Sequence, residues 1–254
     1  MNQSLKRKIE AEIGKITAIK RMPEQGCTSV VFRLETVEQS YLLKSSFKDR
    51  YRVWLRSEAQ VLQKFEYGST PLPAFYAFIE EERASHLIMS YVDGISLTSA
   101  LNQAGSLSIK KTLITGFGEF LNQFHETEQV QPEKEHSWLE HQFSLASSYV
   151  ESGQAEGDMK LLEYMISNKP KPVRQTMIHG DCTTDNVLVV KGKVEVFIDV
   201  SGMTVGDPRY DEALAISKFH EQPVLKEAFY QGYSRNRISQ TEYEYFEEGL
   251  YMFF

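Results

Sequence analysis

Cysteine is scarce in this 254-residue chain, and the two present, Cys27 and Cys182, both sit in turn-like contexts. The opening MNQSLKRKIEAEIGK is charged throughout and offers no apolar export signal. Reduced thiols are therefore expected rather than a disulfide framework, in a soluble cytoplasmic protein. No apolar run approaches the roughly 20 residues of a membrane-spanning helix, so no membrane partner is expected. Basic residues are outnumbered, 28 Lys and Arg against 35 Asp and Glu, which leaves a net charge of −7. That balance argues against a dominant nucleic-acid surface, which needs a basic stripe. It is compatible with a cationic substrate, although mild acidity also serves solubility alone. A G-x-G-x-x-G run is missing too.

What is present suffices for a core: 41% hydrophobic and 25% charged residues are ordinary for a globular protein, and the length allows one large domain or two lobes. The first third reads as strands. GKITAIKR, SVVFRLE and YLLKSS are short β-rich segments separated by the turn-like PEQGCT and TVEQ. A helix follows, with Asp49 as its expected N-cap and Gly68 as its stop. AFYAFIE and HLIMSY complete five strands around one helix, a small α+β lobe. After YVDG the apolar spacing turns helical. Ile109, Leu113, Phe117, Phe120, Leu121 and Phe124 mark one helix, HSWLEHQFSLASSYVE and DMKLLEYMIS two more, and three are expected from Pro208 onward. The lobe boundary is expected between Ser90 and Ile95, with Gly94 as a hinge.

Four constellations stand out. In IHGDCTTDNVLV, a loop dense in oxygen ligands runs straight into an apolar strand. NVLVV and KVEVFIDV read as a hairpin; if Gly192-Lys193 is its two-residue turn, glycine first, Asn186 faces Asp199, and a one-residue change of turn register still leaves the two at the same end. Asp and Asn oxygens suit a hard cation such as Mg²⁺, and they equally suit the capping of strand ends. Glu58 falls on the apolar stripe of Tyr51, Leu55, Leu62 and Phe65. A buried carboxylate needs a partner, and Lys44 is the nearest in sequence. PEQGCTSVVF holds one glycine between strands, enough for a phosphate-approaching backbone or an ordinary turn. In GDPRYDEALA, Asp207 suits an N-cap and Pro208 the first helical position, while Asp211 is free to hold a neighbouring loop.

Taken in order, these residues resemble the aminoglycoside phosphotransferase and choline kinase family, small-molecule relatives of the protein kinases. His179, Gly180, Asp181 and Asn186 meet its H-G-D-x-x-x-x-N pattern, Ile198-Asp199 its metal-binding pair, and Gly206, Asp207, Pro208 and Asp211 its G-D-P-x-x-D. Lys44 and Glu58 match the kinase strand lysine and helix glutamate, and FLNQFH the helix ending in L-x-x-L-H, with Phe124 replacing leucine. The loop departs from many members in its C-T-T-D continuation, so the subfamily stays open.

The resemblance implies a bilobal, protein-kinase-like α+β fold. Its N-terminal nucleotide-binding lobe would span residues 1–91, and its mostly helical catalytic lobe, with a short β hairpin, residues 92–254. It implies ATP or GTP as donor, Mg²⁺ as cofactor and a small hydroxyl compound as acceptor, in a monomer or homodimer. Asp181 would be the catalytic base, and Asn186 and Asp199 the metal ligands. Lys44 would meet the phosphates, fixed by Glu58. Backbone at Gly26, Cys27, Thr28 and Ser29 would cover them, and Ser90, Tyr91 and Val92 would hold the base. His179 is expected to brace the loop. The acidic run TEYEYFEEGL, with Glu212, Tyr210, Phe229 and Tyr233, could line a pocket for a cationic acceptor or belong to solvated face and core. A non-catalytic nucleotide-binding relative is the alternative; the full set of Lys44, Glu58, Asp181, Asn186 and Asp199 speaks for an enzyme.

Overall fold

The computed structural model describes residues 2–23, 25–65, 70–127 and 138–254. Two compact units divide the chain: Met1–Gly94 with Val196–Gly202, and Ile95–Glu195 with Met203–Phe254.

The first unit is built on an antiparallel sheet. Its strands are β1 (Ala18–Arg21), β2 (Val30–Glu35), β3 (Ser40–Ser46), β4 (Phe75–Glu81) and β5 (Ala84–Ser90), in the order β1-β2-β3-β5-β4. Every residue of β5 but the last is buried, as a central strand covered on both faces requires. Side chains alternate along a strand, so Leu43 and Lys44 leave β3 on opposite faces. Tyr41, Leu43, Leu34 and Ile88 meet helix α1 (Gln3–Ile13) through Leu5, Ile9 and Ile13. The other face receives α2 (Asp49–Lys64), which buries Leu55, Glu58, Ala59 and Leu62. Arg52 of α2 fixes that contact by donating to Ser85 Oγ and to the Glu81 and Glu82 carbonyls.

The sequence pattern predicts one helix here, and α1 is a second. Its apolar residues recur only every fourth position among charges. Asn2 caps its start by accepting from the Leu5 N–H, and Gly14, at φ 82°, ends it. Asp49 proves to be the first helical residue of α2 rather than its cap; Lys48 holds the cap position. The expected stop at Gly68 lies outside the described residues.

In the second unit, β6 (Ile95–Ser96) leads into α3 (Leu97–Gln103), a short helix the sequence reading passed over, capped by Ser96. Then come α4 (Leu107–Glu126), α5 (Trp138–Glu151) and α6 (Met159–Ser167). Strand β7 (Thr176–Ile178) pairs with β10 (Thr204–Gly206), and β8 (Val187–Val190) lies between β6 and β9 (Lys193–Phe197). Helices α7 (Pro208–Ile216), α8 (Pro223–Gly232) and α9 (Gln240–Tyr243) follow, the last running into a π-helical turn at Glu244–Gly249 and a 3-10 turn at Leu250–Phe253. Helices α4 and α8 approach until their backbones touch. A Cβ on Gly232 would sit 2.1 Å from the Thr115 carbonyl oxygen, and one on Gly118 2.2 Å from that of Phe229.

The β8–β9 turn differs from expectation. Lys191 (φ 49°) and Gly192 (φ 84°) both adopt left-handed backbone between strands ending at Val190 and starting at Lys193. Two consecutive positive φ values make a type I′ turn centred on Lys191-Gly192, not a glycine-first turn at Gly192-Lys193. The expected ladder, with Asn186 opposite Asp199, was counted from that other turn.

Candidate active site

In the first unit, β3 and α2 bring Lys44 and Glu58 together. Lys44 Nζ lies 2.7 Å from Glu58 Oε1 and 3.0 Å from Oε2, with both residues buried. Asp199 Oδ1 also pairs with Lys44 Nζ, from a side chain 44% exposed. Burial would lower the Lys44 pKa, but the charges of Asp199 and Glu58 outweigh it, so the ammonium is held well above its ordinary value. Burial pushes the Glu58 carboxyl up, Lys44 pulls it down, and the Asp199 charge pushes it up again. The cluster thus holds one cation between two carboxylates. Asp199 adopts φ 57°, left-handed backbone that costs most residues energy and that Asp tolerates better than most.

The β1–β2 connection is clamped by a residue that the sequence reading passed over. Gln25 Nε2 donates to the carbonyls of Met22 (2.7 Å) and Val31 (2.9 Å), and its Oε1 accepts from the Val31 N–H. A side-chain amide that mimics a strand partner leaves no sequence signature. Ser29 and Ser46 hydroxyls lie 2.6 Å apart, and Ser46 also donates to the Thr28 carbonyl. Cys27 is exposed. A Cβ on Gly26 would meet nothing within 4 Å. At the other candidate segment, the Ser90 N–H donates to the Ala74 carbonyl and the Tyr91 N–H to that of Ser40, while the Arg33 guanidinium covers the Tyr91 ring at 4.2 Å. The Val92 carbonyl accepts from the Gly94 N–H at 3.0 Å.

In the second unit, the loop from His179 to Asn186 is shaped from two sides. Asn186 Nδ2 donates to the Asp181 backbone carbonyl (2.9 Å) and to Asp181 Oδ2 (2.7 Å), which fixes the plane of the carboxylate. From α7, fully buried Asp211 accepts the N–H groups of His179 (2.6 Å) and Gly180 (2.9 Å). Gly180 is left-handed, at φ 81°. Asp211 Oδ2 also lies 3.2 Å from His125 Nε2, and His125 Nδ1 lies 2.9 Å from Tyr233 Oη. His179 Nδ1 accepts from the Asp181 N–H, so the neutral ring carries its hydrogen on Nε2. A ring used in this way braces the turn.

The rest of the loop is anchored as well. The Thr184 carbonyl accepts from the Thr98 N–H, the two threonine hydroxyls lie 2.7 Å apart, and Asp185 pairs with Lys218. Cys182 is fully buried; burial first, then the charges of Asp211 and Asp181, push its thiol well above the ordinary range. Such a thiol is not a nucleophile. Tyr210, Phe229 and Tyr233 are core residues, and Glu212 is buried with bonds from the Ile238 N–H and Tyr230 Oη. Within the acidic run, Glu242 is taken up by buried Arg209 and by the Ser239 capping box, and Glu244 accepts from Gln240. One contact had no sequence signal: Tyr251 Oη donates to Asp181 Oδ1 at 3.1 Å. Its YMFF surroundings read as core.

Among the described residues, no group of three or more His, Cys, Asp or Glu side chains is placed to hold a metal, and no helix is long and apolar enough to cross a membrane.

A family model for the phosphotransferase enzyme family matches residues 21–246. No curated protein matches the sequence. Among solved structures, an aminoglycoside-3'-phosphotransferase of type VIII is similar, with TM-score 0.77 and 21% identity over 92% of each chain. So is a spectinomycin phosphotransferase in complex with ADP and spectinomycin, with TM-score 0.63 and 16% identity over 97% of this chain and 83% of that one. A thermostable mutant of an aminoglycoside phosphotransferase in ternary complex with AMP-PNP and hygromycin B gives TM-score 0.63 and 16% identity, over 90% of this chain and 88% of that one. At these identities the likeness carries the fold: kinase-like α+β, as expected.

Proposed function

We propose, on the premise that this chain belongs to the phosphotransferase enzyme family, that it transfers the γ-phosphate of ATP or GTP to a hydroxyl of a small cationic acceptor of the aminoglycoside kind. Phosphoryl transfer asks a protein mainly for positioning and charge stabilisation. Asp181 is the proposed base. With Oδ2 bound to the Asn186 amide, Oδ1 is the oxygen that meets a hydroxyl. The acceptor oxygen bonds to the γ-phosphorus, the bond to the bridging oxygen breaks, and the acceptor proton passes to Asp181.

In the first unit, Lys44 is the proposed phosphate contact, held in place and kept charged by Glu58. Gly26 to Ser29 would cover the phosphates with backbone N–H groups. Ser90 to Val92 would hold the nucleotide base by main-chain bonds. Asp199 and Asn186 each fit one Mg²⁺ ligand. The Asp199 carboxylate is accessible, and Asn186 commits its Nδ2 as a donor, leaving its carbonyl oxygen for a cation. The metal would supply neutralisation of phosphate charge.

Support for a cationic acceptor comes from the surroundings of Asp181. The charges of Glu247 and Asp185 both reach the Tyr251 phenol that rests on it. The observation that carries the whole reading is the Asn186–Asp181 bond, because it turns a half-buried carboxylate into an oriented base.

The test is a labelled-nucleotide screen with ATP and GTP over aminoglycosides, choline-like amino alcohols, homoserine and sugars, with Asp181→Asn as control. Transfer to one class, lowered by about 10²–10⁴ in the variant, is expected. A chain that neither binds nor hydrolyses Mg-nucleotide would end the reading.

A further inference from the structure

The Tyr251 phenol has no part in the chemistry above, yet it touches the reactive oxygen of the proposed base. It is a hydroxyl donating to Asp181 Oδ1 at 3.1 Å, the contact an acceptor alcohol has to make. Asn186 already holds Oδ2, so Oδ1 is where an acceptor and Tyr251 compete.

The ring is delivered by well-fixed backbone. Leu250 and Phe253, on either side of it in the last 3-10 turn, are fully buried, and the Met252 carbonyl accepts the N–H groups of Glu156 (3.1 Å) and Gly157 (2.8 Å). A Cβ on Gly249, just before the turn, would lie 2.6 Å from Met165 Sδ, and one on Gly157 2.7 Å from the Phe253 ring. Tyr251 itself is only half-buried, its ring 6.5 Å from that of Tyr210, so the side chain can swing out while the turn stays in place. Burial and the neighbouring Asp181 charge hold the phenol well above its ordinary pKa, so it stays a donor at any working pH.

We propose that Tyr251 is a placeholder for the acceptor hydroxyl: it occupies Asp181 Oδ1 in the resting enzyme, keeps water from the base, and is displaced by the true acceptor. The inference rests on Asp181 being the base. A kinase that waits with nucleotide bound is exposed to hydrolysis. In that reaction a water oxygen bonds to the γ-phosphorus, the bond to the bridging oxygen breaks, the water proton goes to Asp181, and ADP and inorganic phosphate leave. A phenol on Oδ1 removes the site where that water would be activated, and its own attack is not needed.

The experiment measures ADP release from Mg-ATP by the full chain, and in parallel GDP release from Mg-GTP, in the absence of any acceptor. Wild type, Tyr251→Phe, Tyr251→Met, Asp181→Asn and the double variant Asp181→Asn/Tyr251→Phe are compared. Tyr251→Phe is expected to raise acceptor-independent ADP release about tenfold, as expected from losing one hydrogen bond to a charged acceptor. Tyr251→Met, which removes the hydroxyl with a different side chain, should move the same way, and the double variant should fall back to the rate of Asp181→Asn. Release in both Tyr251 variants no faster than wild type overturns the placeholder while leaving the base assignment standing. A double variant as fast as Tyr251→Phe alone overturns the base assignment instead, and the placeholder with it.

Discussion

Lys44 Nζ stands 2.7 Å from Glu58 Oε1 with both side chains closed off from solvent. A pair this deep gives little net stability, yet removing one partner strands the other as a buried charge. Lys44→Ala should therefore cost about 3–5 kcal/mol in urea unfolding. Lys44→Ala/Glu58→Leu should recover most of that loss. Phosphate transfer should be lost in both. Equal urea midpoints for single and double variants would show that Glu58 does not need its partner.

Gly26 faces open space and has no left-handed backbone to protect. Gly26→Val should therefore leave the melting temperature unchanged. If its backbone covers phosphates, the bulkier side chain should raise the nucleotide KM several-fold with little change in kcat. A variant kinetically identical to wild type removes Gly26 from the nucleotide site.

Asp211 satisfies two backbone N–H groups of the H-G-D loop from the first turn of α7. Asp211→Ala would leave both donors buried without an acceptor, at about 1–3 kcal/mol each. The expected result is a chain about 2–6 kcal/mol less stable and nearly inactive. Asp185→Ala, on the exposed side of the same loop, should change stability by about 1 kcal/mol or less. Chemical denaturation of the two variants side by side makes the comparison.

Glu212 makes stability depend on pH. Burial raises its pKa from 4.5 to about 7, against the bonds from Ile238, Tyr230 and Asn236. An acid raised on folding keeps its proton longer in the folded chain. The folded state therefore binds more protons between pH 4.5 and about 7, and stability falls as pH rises through that window, then levels off. The Glu212 share of that fall is roughly 3 kcal/mol, at about 1.4 kcal/mol per pKa unit. Glu212→Gln keeps an acceptor oxygen for the Ile238 N–H and should flatten this part of the curve. Urea midpoints at a series of pH values test it; parallel curves for the two chains would refute it.

How much of this was legible depends on the range of each signal. Glu58 could be read because a carboxylate on an apolar helix stripe is anomalous in one short window, and Lys44 was close at hand. Asp207 and Pro208 carried local capping chemistry and sit as their residue types predict. Helix α1 escaped because Leu5, Ile9 and Ile13 make a stripe one residue wide among charges. The hairpin turn lies one residue earlier than the glycine-first pattern suggests because Lys191, which is not glycine, takes left-handed backbone. The bonds from Asp211 to a loop some thirty residues earlier, and from Tyr251 to Asp181 seventy residues earlier, belong to tertiary packing. No periodicity in the chain announces them.

The first unit is completed by a strip of chain, Val196–Gly202, that belongs to it in space but comes late in sequence. Lys44 leaves the ribosome 155 residues ahead of Asp199. At about 5–20 residues per second, that interval is on the order of ten seconds or more. Through it, the nascent sheet and α2 carry a neutral Lys44–Glu58 pair that lacks its second carboxylate. The unit acquires its final charge only after much of its successor has been translated. Vectorial synthesis and the order of folding are therefore uncoupled in this chain, and an excised 1–94 fragment would lack the anion that the intact protein sets beside Lys44.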